Sequence, residues 1–338
     1  MVNRYYKQEM CSFIGEEGQR NISQKHVLIV GMGALGSASA EMLVRAGIGT
    51  LTIIDRDYVE WSNLHRQQLY SEADCEEVIP KAVAAKRRLS VINSEVKINE
   101  YVMDADTINL PPLLENVDVI LDATDNFDIR FILNDLSQKY YIPYIFGSCV
   151  ASYGMTYTIL PGKTPCLHCL LKEIPITGAT CDNVGVINPV VQLIATYQVT
   201  ECMKLLVDDY ESMRLNFLSV DLWKNQHYTF RVNKAKRTEC LSCGTHPTYP
   251  YLQYDSQTKT TVLCGRNTVQ LRPHLTTDFS LEMLENKLKR HLTVKRNPFI
   301  MTCEYESYRF VFFQDGRVFI HGIDDINKAK KLYYSLLG

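Results

Sequence analysis

Two cysteine pairs and one glycine turn carry the chemistry most directly legible in this chain. Cys166/Cys169 and Cys240/Cys243 each have C-x-x-C spacing, and both sit among turn residues, Thr164-Pro165 before the first and Gly244 after the second. Two such knuckles supply four thiolates, the donor set of a closed tetrahedral zinc site. Closed coordination leaves no position for water or substrate, so the spacing predicts a structural ion. The run Gly31-Met32-Gly33-Ala34-Leu35-Gly36 follows the apolar Val27–Val30 and opens a helical stretch. In such a G-x-G-x-x-G turn Gly31 allows the tight bend, Gly33 lets phosphate oxygens approach the backbone, and Gly36 permits close helix packing. The free N–H groups and positive dipole end of the helix then favour a phosphate. Asp55 closes the next apolar run, where a carboxylate receives ribose hydroxyls. These features alone describe an adenine nucleotide site, with NAD as the simplest occupant.

The residues after Asp55 favour a different occupant. The loop Asp55-Arg56-Asp57-Tyr58-Val59-Glu60-Trp61-Ser62-Asn63-Leu64-His65-Arg66-Gln67 holds far more charge than a dinucleotide requires. Asn63 and Arg66, three residues apart, fall on one face of a helical turn and reach a single triphosphate together. Lys81, after Pro80 at a helix start, is expected to add a mobile cation. Further on comes Asp122-Ala123-Thr124-Asp125-Asn126. A carboxylate at a strand end facing phosphates is a natural Mg²⁺ ligand. Two cations and a metal around a triphosphate suit attack at phosphorus, where catalysis is positioning and charge neutralisation. They suit hydride transfer poorly.

An alternating framework must position these groups. Val27–Val30, Leu51–Ile54, Val117–Leu121, Tyr144–Phe146 and Met155–Leu160 read as strands, with Ser37–Ala46, Lys81–Val91 and Arg130–Tyr140 as helices between them. That order predicts an α/β fold, a Rossmann-like, mostly parallel sheet with helices on both faces. A helix near 189–207, opened by Pro189, and a strand pair near 215–232 follow. From Tyr249 the texture changes. Strand-like Thr261–Arg272, a helix over Ser280–His291, Phe299–Glu304, Arg309–His321 turning at Asp315–Gly316, and a last helix read as a small α+β domain. The expected division is 1–248 and 249–338. The 338 residues carry 36 Lys and Arg against 38 Asp and Glu, and this balance excludes a global basic field for nucleic acid or membrane. No apolar run has the length of a spanning helix, and the N-terminal residues do not resemble a signal peptide, so a cytoplasmic location with reduced thiols is expected.

The string D-x-D-x-V-E-x-S-N-L-x-R-Q over Asp55–Gln67, with Gly31–Gly36 before it and Asp122–Asn126 after it, resembles the adenylating domain of the MoeB/ThiF family, bacterial relatives of ubiquitin-activating enzymes. The likeness spans roughly residues 4–247. It implies an adenylyltransferase that uses Mg-ATP to adenylate the C-terminal glycine of a small ubiquitin-fold sulfur carrier, MoaD- or ThiS-like, for molybdenum cofactor or thiamine biosynthesis, with release of pyrophosphate. By the same resemblance Asp55 holds the ribose and Asn63, Arg66 and Lys81 the phosphates. Gln67 and Asn126 lie near the nucleotide, Asp125 binds Mg²⁺, and the four cysteines hold Zn²⁺. Arg4-Tyr5-Tyr6-Lys7-Gln8 matches a family R-Y-x-R-Q motif whose second arginine reaches the phosphates from the partner subunit of a homodimer. Lys7 stands there, keeping the charge but not the bidentate geometry, with Arg4 as competing candidate. Cys181 occupies a position where some members link a cysteine to the carrier. His168 reads as a surface residue, and Cys11, Cys75, Cys149, Cys202 and Cys264 as packing residues. Cys303 and Arg309 have the C-x5-R spacing of a rhodanese loop but no glycine between them to bend it around an anion. The competing functions are a nicotinamide-dependent oxidoreductase using the glycine loop and an adenylating enzyme acting on a small molecule or tRNA.

Overall fold

The computed structural model describes residues 3–170, 184–253, 260–263, 267–273 and 279–337. By contacts the chain forms two compact units: Met1–Cys75 with Lys81–Tyr254, and Glu76–Pro80 with Asp255–Gly338. Among the described residues no helix is long and apolar enough to cross a membrane.

The first unit opens with helices α1 (Tyr6–Glu9) and α2 (Gly15–Ile22) and is built on one sheet. Its first half alternates: β1 (His26–Val30), α3 (Ala34–Ala46), β2 (Thr50–Asp55), α4 (Glu72–Glu76), α5 (Lys81–Ile92), β3 (Lys97–Val102), β4 (Val119–Asp122), α6 (Phe127–Tyr140) and β5 (Tyr144–Val150). Its second half adds β6 (Tyr153–Ile159), α7 (Leu167–Leu170), α8 (Asn188–Leu206), β7 (Phe217–Asp221) and β8 (Gln226–Phe230). The strand order is β3-β2-β1-β4-β5-β6-β7-β8. Pairs from β3 to β5 are parallel, and those from β5 to β8 antiparallel. The Rossmann-like reading therefore holds. Val27–Val30 and all of β4 are buried, as strands covered by helices on both faces must be. The helix over Asn188–Leu206 has Pro189 in its first turn, where a missing N–H costs nothing.

Strand order reverses at β1, whose neighbours β2 and β4 lead away in opposite directions. In open α/β sheets the ligand crevice lies at the carboxyl ends of the strands at this point. Here the ladder runs on past the strand ends: Gly31 N–H donates to the Ile54 carbonyl at 2.8 Å and Ala123 N–H to the Val30 carbonyl at 2.9 Å. The glycine turn and the Asp122–Asn126 loop therefore leave the sheet side by side. Gly31 takes φ +93, and a Cβ there would sit 2.6 Å from the Ala123 carbonyl oxygen. A Cβ on Gly36 would lie 2.0 Å from the Gly31 carbonyl oxygen, so α3 packs directly on the turn.

The second unit is a fully antiparallel sheet ordered β11-β12-β13-β14-β10-β9. It comprises β9 (Thr260–Leu263), β10 (Thr268–Leu271), α9 (Leu281–Leu288), β11 (Val294–Arg296), β12 (Ile300–Tyr305), β13 (Tyr308–Phe313), β14 (Val318–His321) and α10 (Ile326–Leu337). Leu284 and Leu288 of α9 and Ala329 and Leu332 of α10 pack with Met301, Phe310, Phe312 and Ile320 in one core. The run expected over Thr261–Arg272 is two strands of a hairpin.

Gly36→Ala forces backbone apart and is expected to cost about 1–3 kcal/mol or more, a Tm drop of several degrees by differential scanning fluorimetry.

Candidate active site and cysteine cluster

Four chain segments meet at the switch point. The glycine turn is braced from below by Tyr70, whose buried hydroxyl donates to the Met32 carbonyl at 2.6 Å. Asp55 closes the turn from the side: its Oδ2 accepts from Met32 N–H and its Oδ1 from Asp57 N–H, each at 2.7 Å. Burial pushes the Asp55 carboxyl up, and the nearby Lys81 charge opposes that. The Lys81 side chain is buried, its Nζ 3.3 Å from Asp57 Oδ2, and its backbone N–H donates to the Asp57 carbonyl at 2.9 Å. Lys81 was expected to be a mobile cation. It is a fixed one, because an ammonium with only 3% of its side chain exposed is held by a carboxylate.

The loop between β2 and α4 differs from its reading in the same way. Asn63 is buried, and its Oδ1 accepts from Glu60 N–H at 3.1 Å in a capping box around the short helical turn Trp61–Asn63. Its Oδ1 thus shapes the loop, while its Nδ2, the group expected to reach a phosphate, lies 3.5 Å from Ser62 Oγ. Arg66 is half-buried, with Nη1 donating to the Ser62 carbonyl at 2.7 Å. Gln67 is buried beside the glycine turn, and its Oε1 has no hydrogen-bond partner among the described residues. A Cβ on Gly33 would meet only Gln67 Nε2, at 3.8 Å, so the backbone at Gly33 is the uncrowded part of the turn. An open backbone amide cradle with an orphaned buried acceptor beside it fits a nucleotide phosphate and base or sugar hydrogen-bond donor.

On the opposite side, Asp122 and Asp125 have different roles. Asp122 is fully buried. Its Oδ1 accepts from the N–H and hydroxyl of Thr124, each at 2.8 Å, while Tyr144 donates to its Oδ2 at 2.7 Å. Arg130 Nε lies 3.4 Å from the same oxygen. Burial raises the Asp122 carboxyl and Arg130 opposes the rise. Asp125 is exposed, and no partner engages its carboxylate among the described residues. Asn126 caps α6, with Oδ1 accepting from Asp128 N–H at 2.8 Å. Arg130, four residues beyond Asn126, stands beside the site in the sequence, which gives it no specific role. Buried between the Phe127 and Phe146 rings, it donates to the carbonyls of Thr124 at 2.6 Å and Gly147 at 3.3 Å. It thereby sets the loop that presents Asp125. Its i+8 spacing from Asp122 is the one sequence sign of this role.

Cys166, Cys169, Cys240 and Cys243 converge, with all four sulfurs within 4.8 Å of one another. Cys166 and Cys240 sulfurs are 3.7 Å apart, and Cys169 and Cys243 sulfurs 3.6 Å. Four sulfurs at about 2.3 Å from one ion stand about 3.8 Å from each other, so the set fits tetrahedral zinc. Hydrogen bonds from the neighbouring thiols, Cys166 foremost, hold Cys169 down at about 6 and Cys240 well below the ordinary thiol range. His168 is half-buried, with its Nδ1 3.2 Å from Ser242 Oγ. It is therefore not the plain surface residue expected. Cys303 is buried in β12 and burial pushes its thiol up to about 11, which suits packing and not chemistry. Cys11 is exposed, unlike the buried Cys75, Cys149 and Cys202. Cys181 and Cys264 lie outside the described residues. At the N-terminus Lys7 is exposed with its Nζ 5.7 Å from the Tyr6 ring centre, whereas Arg4 Nη1 donates to the Ile92 carbonyl at 3.0 Å.

The model of the ThiF family matches residues 5–242. The chain belongs to the ThiF family. It is 48% identical over 339 residues, covering all of both chains, to the sulfur carrier protein ThiS adenylyltransferase of Bacillus subtilis (strain 168). It is 31% identical to the sulfur carrier protein adenylyltransferase of Thermus thermophilus, over 73% of this chain and 92% of that one. Against the adenylyltransferase and sulfurtransferase MOCS3 of Dictyostelium discoideum the identity is 33%, over 74% of this chain and 59% of the relative. Among solved structures, E. coli MccB superposes with a TM-score of 0.62 at 24% identity, over 72% of this chain and 73% of that one, a likeness of fold. This ThiF-family chain thus shares both of its units with the Bacillus relative.

Gly33→Ala tests the open cradle. Its added methyl meets no backbone, so the Tm should stay within about 2 °C of wild type while calorimetric titration shows nucleotide affinity falling by about tenfold or more.

Proposed function

We propose that this chain is a ThiS-type sulfur-carrier adenylyltransferase, transferring AMP from Mg-ATP to the C-terminal carboxylate of a ubiquitin-fold carrier. The observation that carries the proposal is the switch point, where the glycine turn packs against the Asp122–Asn126 loop, Asp55 accepts from Met32 N–H and the backbone at Gly33 stays uncrowded; Lys81, Arg66 and Asp125 lie on the segments that lead from it. The end-to-end 48% identity with the Bacillus enzyme supports ThiS as the carrier class ahead of a MoaD-like carrier.

In the reaction the carrier's terminal carboxylate, ionised at neutral pH, attacks the α-phosphorus. Its O–P bond forms as the bond from that phosphorus to the bridging oxygen breaks, and pyrophosphate leaves with the electron pair. No general base is required. The chain's task is to hold the phosphates in line and offset their charge. Gly33 N–H and the first turn of α3 face the phosphates, Lys81 and Arg66 supply positive charge, and Asp55 takes the ribose. Gln67 and Asn126 border the nucleotide. Asp125 would hold Mg²⁺, which would supply charge neutralisation on the triphosphate. Lys7, exposed on α1 while Arg4 is engaged at the end of α5, is the residue that reaches the phosphates of the partner subunit in a homodimer. The four cysteines would hold Zn²⁺ in a closed site that takes no part in the reaction. Cys181 is the carrier-linking thiol where such a link forms. The chain works as a soluble, cytoplasmic enzyme.

ATP–pyrophosphate exchange with a ThiS-like and a MoaD-like carrier, each ending in Gly-Gly, decides the matter. Exchange is expected with the ThiS-like carrier, and none with either carrier at saturating Mg-ATP defeats the proposal. Asp125→Ala removes an exposed group and should lower exchange by about 10²-fold or more with no change in Tm. Retained exchange takes Asp125 out of the metal role. Metal analysis should find one zinc per chain. Cys240→Ser should abolish that content and lower the Tm by roughly 5–10 °C.

A further inference from the structure

The cysteine cluster and the nucleotide loop are joined by one helix, and the joint consists of two buried polar side chains that the reaction does not use. Asn134 and Asp135 lie in the middle of α6 and are fully buried. Asn134 Oδ1 accepts from the N–H of Leu167 at 2.8 Å, the residue just inside the Cys166/Cys169 knuckle. Its Nδ2 donates to Asp135 Oδ1 at 3.3 Å. Burial pushes the Asp135 carboxyl up, the nearby Ser242 side chain inside the Cys240/Cys243 knuckle opposes that, and Asp135 Oδ2 accepts from Tyr251 N–H at 3.0 Å. His168 closes the circle at Ser242 Oγ, and the Tyr251 ring stacks on Phe131 of α6 with centroids 4.3 Å apart. One turn earlier on the same helix, Arg130 holds Asp122 and the Thr124 carbonyl. Residues four apart share a helix face, so Arg130 and Asn134 grip the two sites from one side of one rod.

We propose that Asn134 and Asp135 are positioning residues for the nucleotide site: they bind α6 to both cysteine knuckles, and the knuckles thereby set where α6 presents the Asp122–Asn126 loop. This rests on the reading of the four cysteines as a zinc site and of the cleft as an Mg-ATP site. A buried amide and a buried carboxylate are expensive unless every partner is in place, so the pair accepts one arrangement of the knuckles and transmits it. Residues that orient metal ligands from behind commonly change metal affinity by about 10–100-fold when removed. Two sites joined through one element must affect each other reciprocally.

The test measures, on the full-length zinc-loaded protein, the rate at which a chromogenic chelator removes zinc and the calorimetric Kd for Mg-ATP. Neither needs a carrier, so a wild type that binds Mg-ATP and holds zinc yet activates no carrier defeats the function proposed above and leaves this inference standing. Asn134→Ala should speed zinc release by about tenfold or more and raise the Mg-ATP Kd by about fivefold or more. Asp135→Asn keeps one acceptor oxygen and should fall between wild type and alanine in both readouts. Faster zinc release with an unchanged Mg-ATP Kd overturns the proposal, as does no change in either. Should Asn134→Ala fail to fold, Ser242→Ala removes a single hydroxyl from the joint and is judged by the same two measurements.

Discussion

Backbone crowding at the end of β1 is the constraint on which the rest of this structure depends. Three parallel strands end together there, and the chain turns so tightly that the carbonyls of Gly31 and Ala123 occupy the space of ordinary side chains. Glycine at 31 and 36 is a steric requirement. The crowding places α3, the β2 end and the Asp122–Asn126 loop around one opening, and leaves Gly33 as the point where a ligand, and not the protein itself, approaches the main chain.

The ionisable residues divide into those that build the cleft and those that face it. Asp57, Asp122 and Arg130 spend their polar contacts inside the protein, and Asp55 both closes the glycine turn and borders the cleft. Lys81 belongs to both groups, since its ammonium is fixed by Asp57 on the border of the cleft. Buried ion pairs contribute little net stability, but removing one partner commonly costs about 3–5 kcal/mol, so such pairs fix geometry strongly. A site that must hold a triphosphate in line benefits from cations that do not need to be ordered when the ligand arrives. Arg66 is half-buried with Nη1 donating to the Ser62 carbonyl, and Asp125 is exposed.

Much of this was legible in the sequence where the signal is local. The glycine turn lies between a strand and a helix as its spacing requires, the apolar runs are the central strands, and the cysteine pairs converge. What escaped reading is long-range or polar. β3 is a sheet edge whose residues Lys97–Val102 are mostly polar and only partly covered, so no apolar run announced it. Spacing marks Asn63 as a ligand but does not show that its Oδ1 also caps the short turn by accepting from Glu60 N–H. The burial of Lys81 depends on Asp57, 24 residues away, and the contact of His168 with Ser242 spans 74 residues. No window of sequence contains either pair.

The cysteine cluster also has a topological consequence. Cys166 and Cys240 are 74 residues apart, so an ion on the four sulfurs closes a ring of chain that contains α8, β7 and β8. In the chain-entropy picture a cross-link over such a ring restricts the unfolded chain by about 4 kcal/mol. That restriction falls on the antiparallel half of the sheet alone, where β8 forms an edge with all five residues exposed. The parallel half, sealed between helices, closes without it. An ion there would give the antiparallel half, whose β5, β6 and β7 are already largely buried, a second support: a tether that shortens the random coil.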